Sequence, residues 1–557
     1  MKIFDKARFL FKLHKKEILI ALLFIGVGLV ALLYSLTLPF TVHDDTYVTL
    51  LANKVALDPT WPDRTLLLHL DFKPYLYTNL LAFLVKFFSL FTYKMIIVFF
   101  AIFTTSYAAY LALRLLRFSR LVSIVTALVA LMPRVEPAGG KFGAFPADDV
   151  MGATFALPAM WLLSAWLIRR IHDKKPLWPV LAVAGLCTYI HPSSLLFFSG
   201  ILLLVAIYSY VINKEYKKGL KDFFYSVLSF LLTSSALLSS VFFTMRTMSL
   251  QSPSLVVTGK EYADAVFYRV SYDFFPSNVS YGFQFFIMNL FFLLAALYVF
   301  YIIRTKKIDK NGMLYSIVRF SLCIIFISIF LTFTVPYIQL SLTKQFGFPL
   351  IFQQTSNFFR SYYLGIFFIW AIFLTFILEK FKDNRKTVAT ILLIIGMCSS
   401  AFGFEWLQFV VGYYGYQREY IPNVLQKKED RYEDMTQIYP TWCGQLAKIG
   451  ITRNDLVISD DFSLRYWCES RLYTTQEEGY IYVLSGKSAL VQWVKNYQEQ
   501  QDALNSGNAD KLVAFAKKVG ARYVFLESAP ASMLQELRDK HMLVSSPGDH
   551  FFVIKIF

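Results

Sequence analysis

YLYTNLLAFLVKFFSLF, residues 75–91, decides how the chain is threaded. It is apolar, carries one charge, Lys86, and approaches the ~20 residues that a membrane-crossing helix needs. Counted as a crossing, it would reverse the side of every later loop. Lysine and arginine settle the matter, because in multi-pass proteins they accumulate in short cytoplasmic loops. One group comprises Lys2, Lys6, Arg8, Lys12, Lys15 and Lys16, and a second Arg114, Arg117 and Arg120. Further groups are Arg169/Arg170/Lys174/Lys175, Lys214/Lys217/Lys218/Lys221, Arg304/Lys306/Lys307/Lys310 and Lys380/Lys382/Arg385/Lys386. With 75–91 left out of the crossings, every group falls on one side, expected to be the cytoplasm. The stretch then reads as an amphipathic helix at the outer interface, with Lys86 reaching to the headgroups.

Composition agrees with a multi-pass protein. The chain has 557 residues, of which 56% are hydrophobic and 17% charged; a soluble protein carries ~25% charged residues. Mean hydropathy is +0.49. Apolar runs lie near 18–39, 95–113, 121–132, 150–168, 177–190, 194–213, 223–243, 282–303, 314–337, 359–379 and 387–411, which makes about eleven expected crossings. The first run is long and lacks a small-residue cleavage site, so it reads as an anchor and not a leader. The net charge of +17 belongs to the one-sided loops and calls for no nucleic-acid partner.

The outer side then holds 40–92, 133–149, 191–193, 244–281, 338–358 and the tail from 412. Residues 1–411 are expected to form the transmembrane module, with a long first outer loop at 40–92. Residues 412–557 are expected to form a small extracytoplasmic α/β domain. Helical spacing appears near 431–449, 487–503, 509–518 and 530–540, and strand patterns in "DLVISD", "ARYVFLE" and "HFFVIKIF". The tail has no Gly-rich phosphate loop, and no Cys/His spacing of a metal site is present. Cys443 and Cys468 share a compartment that permits a disulfide, whereas Cys187, Cys323 and Cys398 read as packing residues.

Three acidic pairs stand out. Asp460/Asp461 follows a strand and is explained by turn chemistry. Asp44/Asp45, in "HDDTY" beside His43, and Asp148/Asp149, in "PADDVM", each precede a helix at a span boundary on the outer side. Each pair reads either as a helix N-cap or as chemistry at membrane level. Together they form a possible carboxylate set for Mg²⁺ or Mn²⁺, with Asp148, Asp149 and Asp45 as ligands.

A first span followed by an acidic pair in a long outer loop resembles the C-type (GT-C) membrane glycosyltransferases. That superfamily includes oligosaccharyltransferases, protein O-mannosyltransferases and lipid A aminoarabinose transferases. "HDDTY" stands where their first-loop acidic motif stands, and "PADDVM" is similar to the second acidic motif of some members. A many-span module with an outer C-terminal domain is also similar. No WWD-type oligosaccharyltransferase motif follows the last span. The resemblance implies transfer of a sugar from a polyprenyl-phosphate or -diphosphate carrier to a lipid, glycan or protein acceptor, on the outer face of a bacterial inner membrane. It implies a carboxylate that deprotonates the acceptor, for which Asp44, assisted by Asp45, is the candidate. It also implies cations for the leaving phosphate. Arg360, in "NFFRSYY", leads these, followed by Arg269 and Lys344. His191, in "CTYIHPSS", and His43 are further candidates for phosphate or sugar contact. His191 also reads as a plain turn residue, and Arg360 as an interfacial anchor. Glu405 reads first as a cap or an ion-pair partner. Two other functions fit a protein of this layout: a transporter or flippase of a lipid-linked glycan, and a non-catalytic scaffold of envelope assembly. Transporters place ionisable groups near the bilayer midplane and show repeats; here the acids lie at span ends and no repeat is present.

Overall fold

The computed structural model describes residues 2–35, 90–131, 134–135, 141–142, 155–250, 256–274, 294–305, 312–346, 356–384, 435–476, 487–526, 529–545 and 552–557. It also describes isolated positions within 51–62, 80–88, 386–394 and 478–482. The membrane module is built from α1 (Lys2–Ser35), α2 (Leu90–Leu115), α3 (Arg120–Val129), a two-residue ribbon of β1 (Arg134–Val135) and β2 (Lys141–Phe142), and α4 (Ala156–His172). It continues through α5 (Trp178–Cys187), α6 (Pro192–Ile212), α7 (Tyr216–Leu250), α8 (Gly259–Phe274), α9 (Met313–Phe346) and α10 (Ser356–Lys380). Among the described residues, α1, α2, α6, α7, α9 and α10 are long and apolar enough to cross a membrane. The protein is therefore a multi-pass helical membrane protein.

Two expected crossings are shorter than their apolar runs suggest. The runs 121–132 and 177–190 contain α3 and α5, each of 10 residues. Each helix is about 15 Å long, half of the ~30 Å hydrocarbon layer. Ser119 caps α3, its Oγ accepting from Val122 N at 3.3 Å, and α5 gives way to a turn at Thr188–Ile190. Apolar content alone does not separate a short core helix from a span. Of 75–91, scattered positions are described: Phe83 and Phe87 are exposed with rings 5.0 Å apart, just before α2 begins.

The core lies among α2, α4, α6, α9 and α10. Trp161 is buried with its ring centroid 5.7 Å from that of Phe367 and 5.3 Å from that of Phe368. In lipid, close packing and not water exclusion holds helices together, so small residues matter at crossings. A Cβ on Gly365 would lie 2.6 Å from Ile324 Cγ2 and 2.8 Å from Ser321 O, and one on Gly185 would lie 2.8 Å from Phe230 O. These glycines let α10 approach α9 and α5 approach α7.

Four of the basic groups are laced together on one face. Glu17 accepts from Tyr110 Oη at 2.6 Å and from Arg120 Nε at 2.9 Å. Arg169 donates to Leu115 O at 3.4 Å and to Asp173 at 3.1 Å. Asp222 accepts from Leu177 N at 2.6 Å and from Tyr210 Oη at 2.5 Å. Lys218 reaches Lys174 O at 3.3 Å, and His172 Nδ1 lies 3.2 Å from Ser316 Oγ. Segments read as one-sided from charge alone thus meet physically.

The opposite face carries the tail. It comprises α11 (Met435–Lys448), β3 (Leu456–Ile458), α12 (Ser463–Trp467), β4 (Arg471–Leu472), α13 (Lys487–Leu504) and α14 (Ala509–Val519). β5 (Tyr523–Leu526), α15 (Ala531–Asp539), β6 (Leu543–Ser545) and β7 (Phe552–Lys555) complete it. The sheet order is β4-β3-β5-β7-β6, parallel across β4, β3 and β5 and antiparallel beyond. Alternate strand residues face opposite sides. Ile458, Val524 and Ile554 pack with α14 and α15; Val457, Tyr523 and Val553 pack with α11 and α12. Arg465 and Glu478 form a buried ion pair, and Arg465 also donates to Leu472 O at 2.8 Å.

Cys443 and Cys468 are joined, with Cα atoms 5.0 Å apart, fastening α11 to the end of α12. Replacing both by serine is expected to cost the tail about 2–4 kcal/mol. Limited proteolysis of the full chain checks this: tail cleavage should accelerate in the variant, and an unchanged rate would contradict it.

Among the described residues, two contacts seat the tail. α8 begins with a capping box, Thr258 N donating to Glu261 Oε2 at 2.9 Å and Glu261 N to Thr258 Oγ1 at 3.2 Å. Its Tyr262, Ala265 and Val266 pack on Leu490, Val491 and Val494 of α13, with Leu340 of α9 at the margin. The 34 residues of α9 reach about 51 Å, beyond the ~30 Å hydrocarbon layer, so its last turns meet this cluster. The second contact is polar and uses the first outer loop.

Candidate site at the face opposite the basic loops

α6 starts where the chain turns after α5. His191 is its N-cap, with φ −150° and ψ 97°, and Pro192 stands in the first turn, a position that needs no N–H donor. His191 Nδ1 accepts from Ser194 N at 3.4 Å. Ser194 is buried, and its Oγ accepts from Arg360 Nη1 at 3.0 Å. Arg360 is half-buried in the first turns of α10. Phe197 and Phe358, edge to face at 4.7 Å, hold the two helix starts together. Two of the residues singled out in the sequence, His191 and Arg360, therefore meet on a third that was not, Ser194. A hydroxyl in an apolar helix carries no signal of its own; only the fold shows what it joins.

Arg360 stands 20 residues from Lys380 along α10, or about 30 Å. That places the cluster one hydrocarbon thickness from the basic face. A guanidinium beside the N-terminus of α6 suits an anion, since helix amides and a planar cation both favour negative charge there.

The remaining candidates are placed as follows. Lys344 lies 3.8 Å from Asp264, an exposed pair that links the end of α9 to α8. Arg269 lies on α8, its side chain outside the described residues. His43, Asp44, Asp45, Asp148, Asp149 and Glu405 also lie outside the described residues, as does the expected domain boundary at 411–412. Among the described residues, no group of three or more His, Cys, Asp or Glu is placed to hold a metal.

The polar seat of the tail was not legible in the sequence. In the first outer loop, Leu51, Val55 and Trp61 are buried. Lys54 Nζ donates to Tyr466 O at 2.9 Å and lies 4.5 Å from the centre of the Tyr466 ring. Burial pushes the Lys54 ammonium down, against the attraction of Glu469. Asp58 accepts from Arg453 Nη1 at 2.6 Å, and Arg453 Nη2 donates to Thr60 Oγ1 at 2.6 Å. Hydrogen bonds from the Thr60 hydroxyl and backbone, and then from Arg453, hold the Asp58 carboxyl down at about 2. A carboxyl held below its ordinary 3.8 stabilises the contact fully above about pH 4, and that contribution is lost as the pH falls towards 2. Fluorophores at exposed Leu57 and Arg471 should show steady energy transfer from neutral pH to about pH 4 and a fall below it. Constant transfer throughout would contradict the contact.

No protein-family model matches the chain, and no curated protein matches it significantly.

Proposed function

We propose that the protein is a membrane glycosyltransferase that moves a sugar from a polyprenyl-phosphate or -diphosphate carrier to an envelope acceptor, on the face opposite the basic loops. The observation that carries this reading is the meeting of Arg360 and His191 on buried Ser194, one hydrocarbon thickness from the basic face. A carrier's phosphate sits at that level while its chain lies in the bilayer. The positive-inside rule assigns the basic face to the cytoplasm, and the Cys443–Cys468 bridge suits a tail in an oxidising compartment.

In the reaction a bond forms between the acceptor oxygen and the anomeric carbon, and the bond from that carbon to the phosphate oxygen breaks. Asp44, assisted by Asp45, takes the acceptor proton. Arg360 binds the phosphate and stabilises the charge it gains on leaving, with His191 and the amides of α6 beside it. Asp148, Asp149 and Asp45 are the residues that would hold Mg²⁺ or Mn²⁺; transfer undiminished by a chelator would remove the cation from the reading.

Lipid extraction from the purified protein, followed by mass spectrometry, tests the donor class. A polyprenyl phosphate that co-purifies with the wild type and is depleted in Arg360→Ala supports the reading. Ordinary phospholipid alone, equal in both proteins, counts against it.

A further inference from the structure

We propose that the tail carries a saccharide-binding crevice at the carboxyl ends of β3 and β4, built around Asp460 and roofed by α13 and Tyr268 of α8. As the place where a glycan acceptor docks, it rests on the glycosyltransferase reading; as a saccharide site, it does not.

The sheet topology locates the proposed site. β3 and β5 are parallel neighbours. The chain leaves β3 for α12 on one face of the sheet and leaves β5 for α15 on the other. Open α/β sheets bind ligands outside the carboxyl ends of strands where the connections diverge in this way. Ser459 and Asp460 follow β3 at that point.

One stripe of α13 crosses these ends. Trp493, Tyr497 and Gln500 are spaced to share a helix face. Gln500 Nε2 donates to Ser459 O at 3.4 Å and to Thr474 O at 2.9 Å, tying the ends of β3 and β4 side by side. Trp493 Nε1 donates to Thr475 O at 3.2 Å. Tyr497 Oη donates to the Asp460 carboxylate, at 3.0 and 3.1 Å from its two oxygens. Turn chemistry therefore accounts for Asp461, whose Oδ1 accepts from Ser463 N at 2.9 Å, but not for exposed Asp460.

A second observation points to a ligand. Thr474, Thr475 and Gln500 are 3%, 0% and 0% exposed. Among the described residues, Thr474 Oγ1, Thr475 Oγ1 and Gln500 Oε1 nevertheless have no hydrogen-bond partner. Buried polar groups are nearly always satisfied, and three such atoms gathered at the ends of adjacent strands mark a place where polar partners enter.

The chemistry selects the ligand. The set offers a carboxylate, an amide oxygen and two hydroxyls, which suit a partner rich in hydroxyl donors. Among the described residues, no lysine or arginine pairs with Asp460, and burial, then the Asp460 and Asp502 carboxylates, push the Tyr268 hydroxyl up. A phosphate or nucleotide is therefore disfavoured. Tyr268 is 41% exposed, with its ring 6.4 Å from Tyr497, and presents an aromatic face to the C–H side of a sugar ring.

Binding of the full-length protein in detergent to a microarray of bacterial surface oligosaccharides tests this without turnover or donor. The wild type should bind at least one oligosaccharide class. Asp460→Asn and Tyr268→Ala should weaken it about tenfold or more, with melting temperatures retained; Asp539→Asn, on the far helix α15, should not. No bound oligosaccharide, or binding unchanged in both Asp460→Asn and Tyr268→Ala, would overturn the proposal. An inactive transferase would leave the array result intact, so the two readings fail separately.

Discussion

Asp44→Asn should lower sugar transfer by about 10²–10⁴-fold, the usual contribution of a positioned general base. The substitution is informative because asparagine caps a helix about as well as aspartate. If Asp44 only caps the helix that begins "TYVTLLANK", the variant should keep both its stability and its activity. If Asp44 takes the acceptor proton, the amide cannot do so, and activity falls while the melting temperature holds. Asp45→Asn runs in parallel, because adjacency in sequence does not rank the two carboxylates as base. Full transfer by both folded variants would remove the carboxylates from the mechanism.

Arg360→Ala should lower transfer about 10²–10³-fold, the range seen when one donor to a developing anion is removed. Arg360→Lys should recover part of this, since an ammonium keeps the charge but loses the planar fork. The competing role is structural: Arg360 could serve only to hold α10 against α6 through its 3.0 Å bond to Ser194. Ser194→Ala separates the two. It removes that bond, worth about 1 kcal/mol, and should cost transfer tenfold at most if Arg360 acts on phosphate. Equal losses in Ser194→Ala and Arg360→Ala would assign the arginine to packing alone.

Much of the architecture was legible because it rests on bulk properties. Charge asymmetry placed the loops of Arg114, Lys174 and Lys218 together, and the structure joins them through Arg169, Lys218 and Asp222. Strand patterns around Leu456, Tyr523 and Phe552 were read correctly because each contains alternating or continuous apolar residues. β4 and β6 were missed: Arg471–Leu472 is two residues long, too short for a period to show, and Leu543–Ser545 runs into serine where β3 is apolar throughout. The length of α3 and α5 was overread because their C-terminal ends are set by the turns at Ala130–Leu131 and Thr188–Ile190, not by polarity.

Of the candidate site, Arg360 and His191 were legible as single residues but not as a constellation. Arg360 and His191 stood out as rare polar groups at span ends. Ser194 did not, since serines are common in membrane helices and only tertiary contact distinguishes this one. Asp460 was assigned to a turn together with Asp461, because its partner, Tyr497, lies across the sheet ends on another helix. The seat made by Lys54, Asp58 and Arg453 joins the first outer loop to the tail, and local sequence carries no trace of so distant a pairing.

The direct measurement is the fate of a radiolabelled polyprenyl-phosphate sugar in proteoliposomes containing the purified protein and acceptor glycan. A glycosyltransferase moves the label from the lipid phase onto the acceptor, with release of polyprenyl phosphate, and Asp44→Asn and Arg360→Ala fail to do so. Label that stays on intact carrier and merely changes leaflet would contradict transfer and establish transport instead.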